Sequence, residues 1–275
     1  MQSKLSRGNL PRALTVLVAV LGLVFAAVTP AAASHPNGPK PTVVLVHGSW
    51  ADGSSWQKVT NRLLDDGYTV RVPPNPLRSL TTDSATVREF IATLSGPIVL
   101  VGHSYGGAVI TNAATGNPNV KALVYVDGFA PAEGETIFPL AGAGSALAVD
   151  PATVFDFVPY PGAPAGDVDL YLKHDTFVNS FASGVPRRKA EQLYPSQRPW
   201  AFGAGNDPSG PPAYTTIPSW YVLGTRDLII TPAAQLFMAT RARSKITRIP
   251  AGHLGLITQP GRVTKVIEQA DRATR

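Results

Sequence analysis

Four uninterrupted apolar runs punctuate the chain: Val43 to Val46, Ile98 to Val101, Ala122 to Val126 and Trp220 to Leu223. A strand with one solvated face alternates apolar and polar residues, because successive side chains point to opposite sides. Unbroken runs of this kind therefore predict strands covered on both faces, the condition of a parallel sheet. Two weaker segments, Thr69 to Val72 and Lys245 to Ile249, bring the expected sheet to about six strands.

Between the runs the apolar spacing becomes helical. Trp56, Val59, Leu63 and Leu64 form one stripe, closed by Gly67; Val87, Phe90, Ile91 and Leu94 form a second; Val263, Val266, Ile267 and Ala270 form a third near the end. Strands alternating with amphipathic helices predict an α/β fold with a doubly wound, mainly parallel sheet. At 275 residues the chain has room for one such domain.

The alternation stops between residues 131 and 216, where a Gly/Pro/Ala-rich stretch and one long helical candidate, Val168 to Leu193, intervene. This segment reads as a helical cap inserted into a core made of residues 42–130 and 217–275. It holds 11 of the 22 aromatic residues, among them Phe138, Phe155, Phe177, Trp200 and Tyr214. An apolar pocket beneath the cap follows, unless the rings serve as the insertion's own core.

The amino-terminus changes the picture of where the domain works. Lys4, Arg7 and Arg12 precede an apolar run from Ala13 to Val28 and then Ala31, Ala32 and Ala33. That order reads as a secretory signal peptide over residues 1–33, cleaved after Ala33 or Ser34, with a Pro/Gly linker over 34–41. An uncleaved anchor is the competing reading, but the run falls short of the ~20 residues a spanning helix needs. A secreted protein with no stable membrane association after cleavage is expected.

The formal charge of +6 falls to +3 once the three basic residues of the leader are removed, leaving 21 Lys and Arg against 18 Asp and Glu. No basic patch points to nucleic acid, and Arg187, Arg188 and Lys189 read as a solvated helix face. The chain has no cysteine, which excludes disulfides, thiol catalysis and a lipid-modified cysteine anchor.

The candidate chemistry begins at Gly102-His103-Ser104-Tyr105-Gly106, which follows the run Ile98 to Val101 and opens the helical stretch Ala108, Val109, Ile110, Ala113. Strand, tight turn and helix are the setting of a nucleophile elbow. The turn strains the serine backbone and leaves no room for side chains two residues before and after it, hence Gly102 and Gly106. A serine hydroxyl needs a histidine to take its proton and a carboxylate to orient that histidine.

Of five histidines, His253 in Pro250-Ala251-Gly252-His253 follows the last predicted strand and has the right order after the serine. Asp227, after the run Trp220 to Leu223, is the favoured acid because its strand and the histidine's are sequential neighbours. Asp127, directly after Val126, competes with it. The oxyanion donors are expected at the Tyr105 amide, the residue after the nucleophile, and at the Ser49 amide in His47-Gly48-Ser49-Trp50. No phosphate loop, metal-binding helix or dinucleotide fingerprint is present, and the chemistry requires no cofactor or metal.

With Val46-His47-Gly48-Ser49, Trp56, Gly102 to Gly107, Asp227 and Gly252-His253, the sequence from about Thr42 onward resembles the α/β-hydrolase superfamily. Within it, the likeness is to the branch of bacterial esterases, plant methylesterases and plant hydroxynitrile lyases. The lyases typically carry threonine at the place of Gly48, an acidic residue at His103 and a lysine at Leu254, where the lysine holds the departing cyanide. This sequence has none of the three, so the resemblance implies the esterase side.

The expectation is therefore a serine hydrolase cleaving a small-molecule carboxylic ester through an acyl-enzyme. Amide or lactone hydrolysis, or peracid formation by the same triad, are the neighbouring activities. The alternative from another class is a non-catalytic small-molecule sensor, since this fold also serves as a receptor.

Overall fold

The computed structural model describes residues 39–275, so the export segment read at residues 1–33 and the start of the linker lie outside the described residues. The core opens with β1 (Thr42–Val46), α1 (Gln57–Asp65), β2 (Thr69–Arg71), α2 (Leu80–Ala92), β3 (Ile98–His103), α3 (Tyr105–Ala113) and β4 (Val120–Val126). The cap follows with β5 (Phe155–Val158), β6 (Asp169–Leu172), α4 (Arg187–Leu193) and β7 (Trp200–Ala201). The chain then returns to the core as β8 (Ser219–Gly224), α5 (Pro232–Arg241), β9 (Lys245–Ile249) and α6 (Pro260–Thr274).

The six core strands lie in the order β2-β1-β3-β4-β8-β9, and every neighbouring pair is parallel. Val43 to Val46 in β1 and every residue of β3 are buried, as continuous apolar runs require. The two weak sequence signals belong to the edges. Thr69 and Arg71 of β2 are exposed, as are Lys245 and Arg248 of β9, because an edge strand has less apolar cover.

From β1 the chain first turns outward to β2 and then crosses to β3 on the other side. The loops after β1 and β3 thus diverge at their carboxyl ends and open a crevice at the switch point, where α/β sheets bind ligands. Ser104 stands on one side of that crevice and Gly48 to Trp50 on the other.

The cap departs from expectation. Val168 to Leu193 is not one helix: it divides into β6, a short helical passage over His174 to Phe181, and α4. Gly184 at φ +80° and Pro186 interrupt it, the first adopting a left-handed conformation and the second lacking the amide a continuing helix would need. β6 pairs antiparallel with both β5 and β7, so the insertion is mixed α/β rather than helical. Cap and core together form one compact unit, Asn37–Arg275. Among the described residues no helix is long and apolar enough to cross a membrane.

Candidate active site

Ser104 sits at φ 54° and ψ −127° between β3 and α3, a conformation that a side-chain-bearing residue holds only when its surroundings enforce it. The two glycines explain how the turn closes. A Cβ on Gly102 would stand 2.4 Å from the Gly106 carbonyl oxygen, and one on Gly106 would stand 2.5 Å from that of Val46. Gly48 meets the serine from the β1 side, where a Cβ would lie 2.6 Å from Ser104 Cβ.

The Ser104 hydroxyl lies 2.9 Å from His253 Nε2, and His253 Nδ1 lies 2.8 Å from Asp227 Oδ2. A carboxylate only accepts, so the ring proton belongs on Nδ1 and leaves Nε2 free to receive the serine proton. All three side chains are buried. Asp227 is further fixed by Ile229 and Ile230, whose amides donate to Oδ1 at 2.7 and 3.0 Å, and by Gln235 Nε2, which donates to Oδ2 at 2.8 Å.

The histidine loop is held from two sides. His103 Nε2 donates to the His253 carbonyl oxygen at 2.8 Å, and its ring packs 4.9 Å from the His253 ring. Burial and the His253 ring hold His103 well below the usual imidazole range, which keeps a second positive charge away from the base. On the cap side, a Cβ at Gly252 would come within 2.4 Å of the Ser183 carbonyl oxygen, so only glycine lets the cap approach here.

Asp127, the competing acid, does not reach His253. It occupies φ 43°, and its Oδ2 accepts the Gly255 amide at 3.2 Å while Oδ1 has no partner among the described residues. Burial, with the charge of Asp227 nearby, pushes its carboxyl well above the usual carboxylate range. The structure thus sets two buried carboxyls side by side and gives only Asp227 to the histidine.

Neither the Ser49 nor the Tyr105 amide donates to another group among the described residues, leaving both available to an oxyanion. His47 braces the first donor's loop: its Nδ1 donates to the Gly48 carbonyl at 2.9 Å and its Nε2 accepts the Asn75 amide at 3.0 Å. Using both nitrogens requires a neutral ring, and burial lowers its pKa to about 4. Under the second donor, the Tyr105 hydroxyl donates to Asp83 Oδ2 at 2.8 Å. Burial raises the Asp83 pKa, and burial with Asp83 beside it raises that of Tyr105.

The space above Ser104 is small. A cavity of about 10 Å³, lined by Ser49, Trp50, Phe129, Ile137, Phe138 and Trp200, holds about one water molecule. Trp200 and Phe138 come from the cap, so part of its aromatic content faces the site, while Phe157 and Phe202 face solvent.

Ser104, His253, Asp227, Ser49 and Tyr105 are therefore brought to one sheet edge. Asp83, His103 and Gln235 are supporting residues that sequence reasoning missed. His103 was visible as the neighbour of Ser104 but carried no sign of its contact with a loop 150 residues away. Gln235 lies in α5, whose only plain marker is Thr231-Pro232 at its start: the Thr231 hydroxyl accepts the Ala234 amide.

Comparison with known proteins agrees with the architecture. A model of the alpha/beta hydrolase family matches residues 43–266. The pyrethroid hydrolase of Sphingobium wenxiniae is 27% identical over 245 residues, covering 82% of this chain and 85% of that protein. The carbendazim hydrolyzing esterase of a Nocardioides species is 33% identical over 110 residues, covering 35% of this chain and 46% of that enzyme, so the match spans less than half its length. Among solved structures, polyneuridine aldehyde esterase superposes with a TM-score of 0.71 at 18% identity, over 84% of this chain and 99% of the other, a likeness of fold.

Proposed function

The chain belongs to the alpha/beta hydrolase family, and from that membership we propose that it hydrolyses carboxylic esters through an acyl-Ser104 intermediate. The observation that carries the reading is the unbroken line from Ser104 Oγ through the His253 ring to Asp227, with contacts of 2.9 and 2.8 Å. His253 Nε2 takes the hydroxyl proton as Oγ bonds to the ester carbonyl carbon. The carbonyl oxygen gains the negative charge and meets the Ser49 and Tyr105 amides, each such donor being worth on the order of 10² to 10³ in rate.

Collapse of the tetrahedral adduct breaks the bond to the alcohol oxygen, which leaves with the proton from His253. Water then gives a proton to the same nitrogen, attacks the acyl carbon and releases the acid and Ser104. Asp227 stabilises the imidazolium formed in each half-reaction.

Hydrolysis is favoured over cyanide elimination by the three positions that distinguish the lyases. A threonine at Gly48 would press its Cβ into Ser104, and Leu254 is a buried apolar residue with no charge to offer a leaving anion. The named activities of the pyrethroid hydrolase and the carbendazim esterase support an ester substrate.

A fluorophosphonate probe should label Ser104 stoichiometrically, and Ser104→Ala should lower kcat by roughly 10⁶. Folded protein that neither labels nor turns over short-chain chromogenic esters would instead be a sensor. Export is part of the same reading, supported by the amino-terminal pattern; mature protein from culture medium should begin at Ser34 or His35.

A further inference from the structure

A second cavity lies outside the one over Ser104. It has a volume of about 190 Å³, and its walls include Trp50, Asp52, Lys58, Phe181, Leu193 and Leu254. Lys58 and Lys189 on its rim are exposed, so it opens to solvent, whereas most of the residues around the inner cavity, among them Ile137, Trp200 and Ile229, are buried. One residue lines both spaces, and it is Trp50.

Trp50 is held firmly. Its backbone is at φ 56°, a strained conformation for a bulky residue. The indole Nε1 donates to the Leu170 carbonyl oxygen of β6 at 2.9 Å, anchoring the side chain to the cap. Phe155 stacks on it at 5.8 Å, and Phe181 and Trp200 meet it edge-on at 5.8 and 5.6 Å. A ring fixed by a hydrogen bond and three aromatic neighbours is a rigid wall, since packed interiors deform little.

We infer that Trp50 is a specificity-determining partition: it confines the acyl group of the substrate to a small apolar recess over Ser104 and leaves the outer pocket to the alcohol. The inference rests on the esterase reading above and narrows its substrate class to esters of short, unbranched acids with larger alcohols. Two features assign the sides. The inner cavity touches Ser104 and Ser49 and has room for a group about the size of a methyl. The outer pocket is lined by Phe181, whose ring packs 5.3 Å from His253, the residue that must protonate the departing alcohol.

The test is a two-way panel on the purified protein. One arm varies the acid, from p-nitrophenyl acetate to the octanoate; the other varies the alcohol of acetate esters. The wild type should lose at least about tenfold in kcat/KM from acetate to octanoate, in keeping with what shape discrimination in an apolar pocket achieves. Acetates of large alcohols should be accepted.

Trp50→Ala should raise the octanoate-to-acetate ratio about tenfold or more by removing the wall that bounds the recess. Leu193→Ala, which enlarges the outer pocket alone, should leave that ratio unchanged. If Trp50→Ala does not fold, Trp50→Leu is read the same way, and Ile137→Ala, which widens the recess from another wall, should raise the ratio too. Octanoate cleaved as fast as acetate by the wild type, tolerance of long acids but not large alcohols, or an unmoved ratio in a folded Trp50 variant would overturn the inference. Fluorophosphonate labelling of Ser104 separates the levels: a labelled enzyme with the wrong ratios loses only the partition, and an unlabelled, inactive one loses the esterase reading and the partition with it.

Discussion

Gln235 donates its side-chain amide to the same oxygen of Asp227 that receives the His253 ring proton, each over 2.8 Å. The other face of Gln235 is tied down as well, because Nε2 also reaches the Ile230 carbonyl at 2.8 Å and Oε1 accepts the Gly224 amide at 3.2 Å. Asp227 is thereby aimed from a helix.

Gln235→Leu should therefore misalign the acid without touching substrate. A lost hydrogen bond to a charged group is worth about 1.5 to 3 kcal/mol, which corresponds to roughly 10- to 100-fold in rate if the whole effect reaches the transition state. The expected outcome is a fall in kcat of that size with KM nearly unchanged. A parallel rise in KM would point to a collapsed pocket instead.

Asp127 supplies a prediction in the opposite sense. Its carboxyl is raised well above the ordinary value of 3.8 by burial and by Asp227, so the folded protein binds its proton more tightly than the unfolded chain does. The contribution favours folding at low pH and is lost as pH rises from 3.8 through the folded value. Asp127→Asn keeps an acceptor for the Gly255 amide and cannot ionise. Relative to wild type it should gain stability as pH is raised above 3.8 toward the folded value, read as the difference in urea midpoints across a pH series. A difference that stays flat across that range would mean Asp127 titrates normally.

How far the sequence disclosed this arrangement depends on the range of each interaction. The core strands were legible because parallel strands buried on both faces require unbroken apolar runs, and the elbow because strand, turn and helix are adjacent in sequence. Ser104, His253 and Asp227 stood out as the ends of strands in chain order. The choice between Asp127 and Asp227 was not local: both follow buried strands, and only the fold decides which carboxyl faces the imidazole. The cap was misread as helical because Val168 to Leu193 has apolar residues at helical intervals. Its real structure depends on pairing with Phe155 to Val158 and with Trp200, contacts that no local window contains.

Gly102 and Gly106 make the elbow a steric matter. A methyl group at either position would overlap a main-chain carbonyl at 2.4 or 2.5 Å, and backbone relieves such overlap only by moving. Gly102→Ala and Gly106→Ala should each destabilise by about 1 to 3 kcal/mol or more, in the range of overpacked cores, and abolish fluorophosphonate labelling. Gly116→Ala is the comparison, since nothing lies within 4 Å of its added Cβ and only its positive φ of 78° opposes a side chain. It should lose stability through strain alone and keep full labelling.

His47 ties pH to the loop that carries the Ser49 amide. Its neutral ring donates to Gly48 and accepts from Asn75, and protonation would set a second ring N–H against the Asn75 amide. The folded pKa of about 4 lies below the ordinary value of 6.5. The stability this ring contributes is therefore present above pH 6.5 and lost as pH falls toward 4. At 1.36 kcal/mol per unit the loss is on the order of 3 kcal/mol. His47→Gln, which retains an acceptor near Nε2 and does not titrate, should be less stable than wild type at pH 7.5 and should close that gap between pH 6.5 and 4. Since His103 and His253 remain in both proteins, the difference in unfolding free energy isolates His47. A gap that stays constant through the window would show that the ring is already charged, or free to swing out, in the folded state.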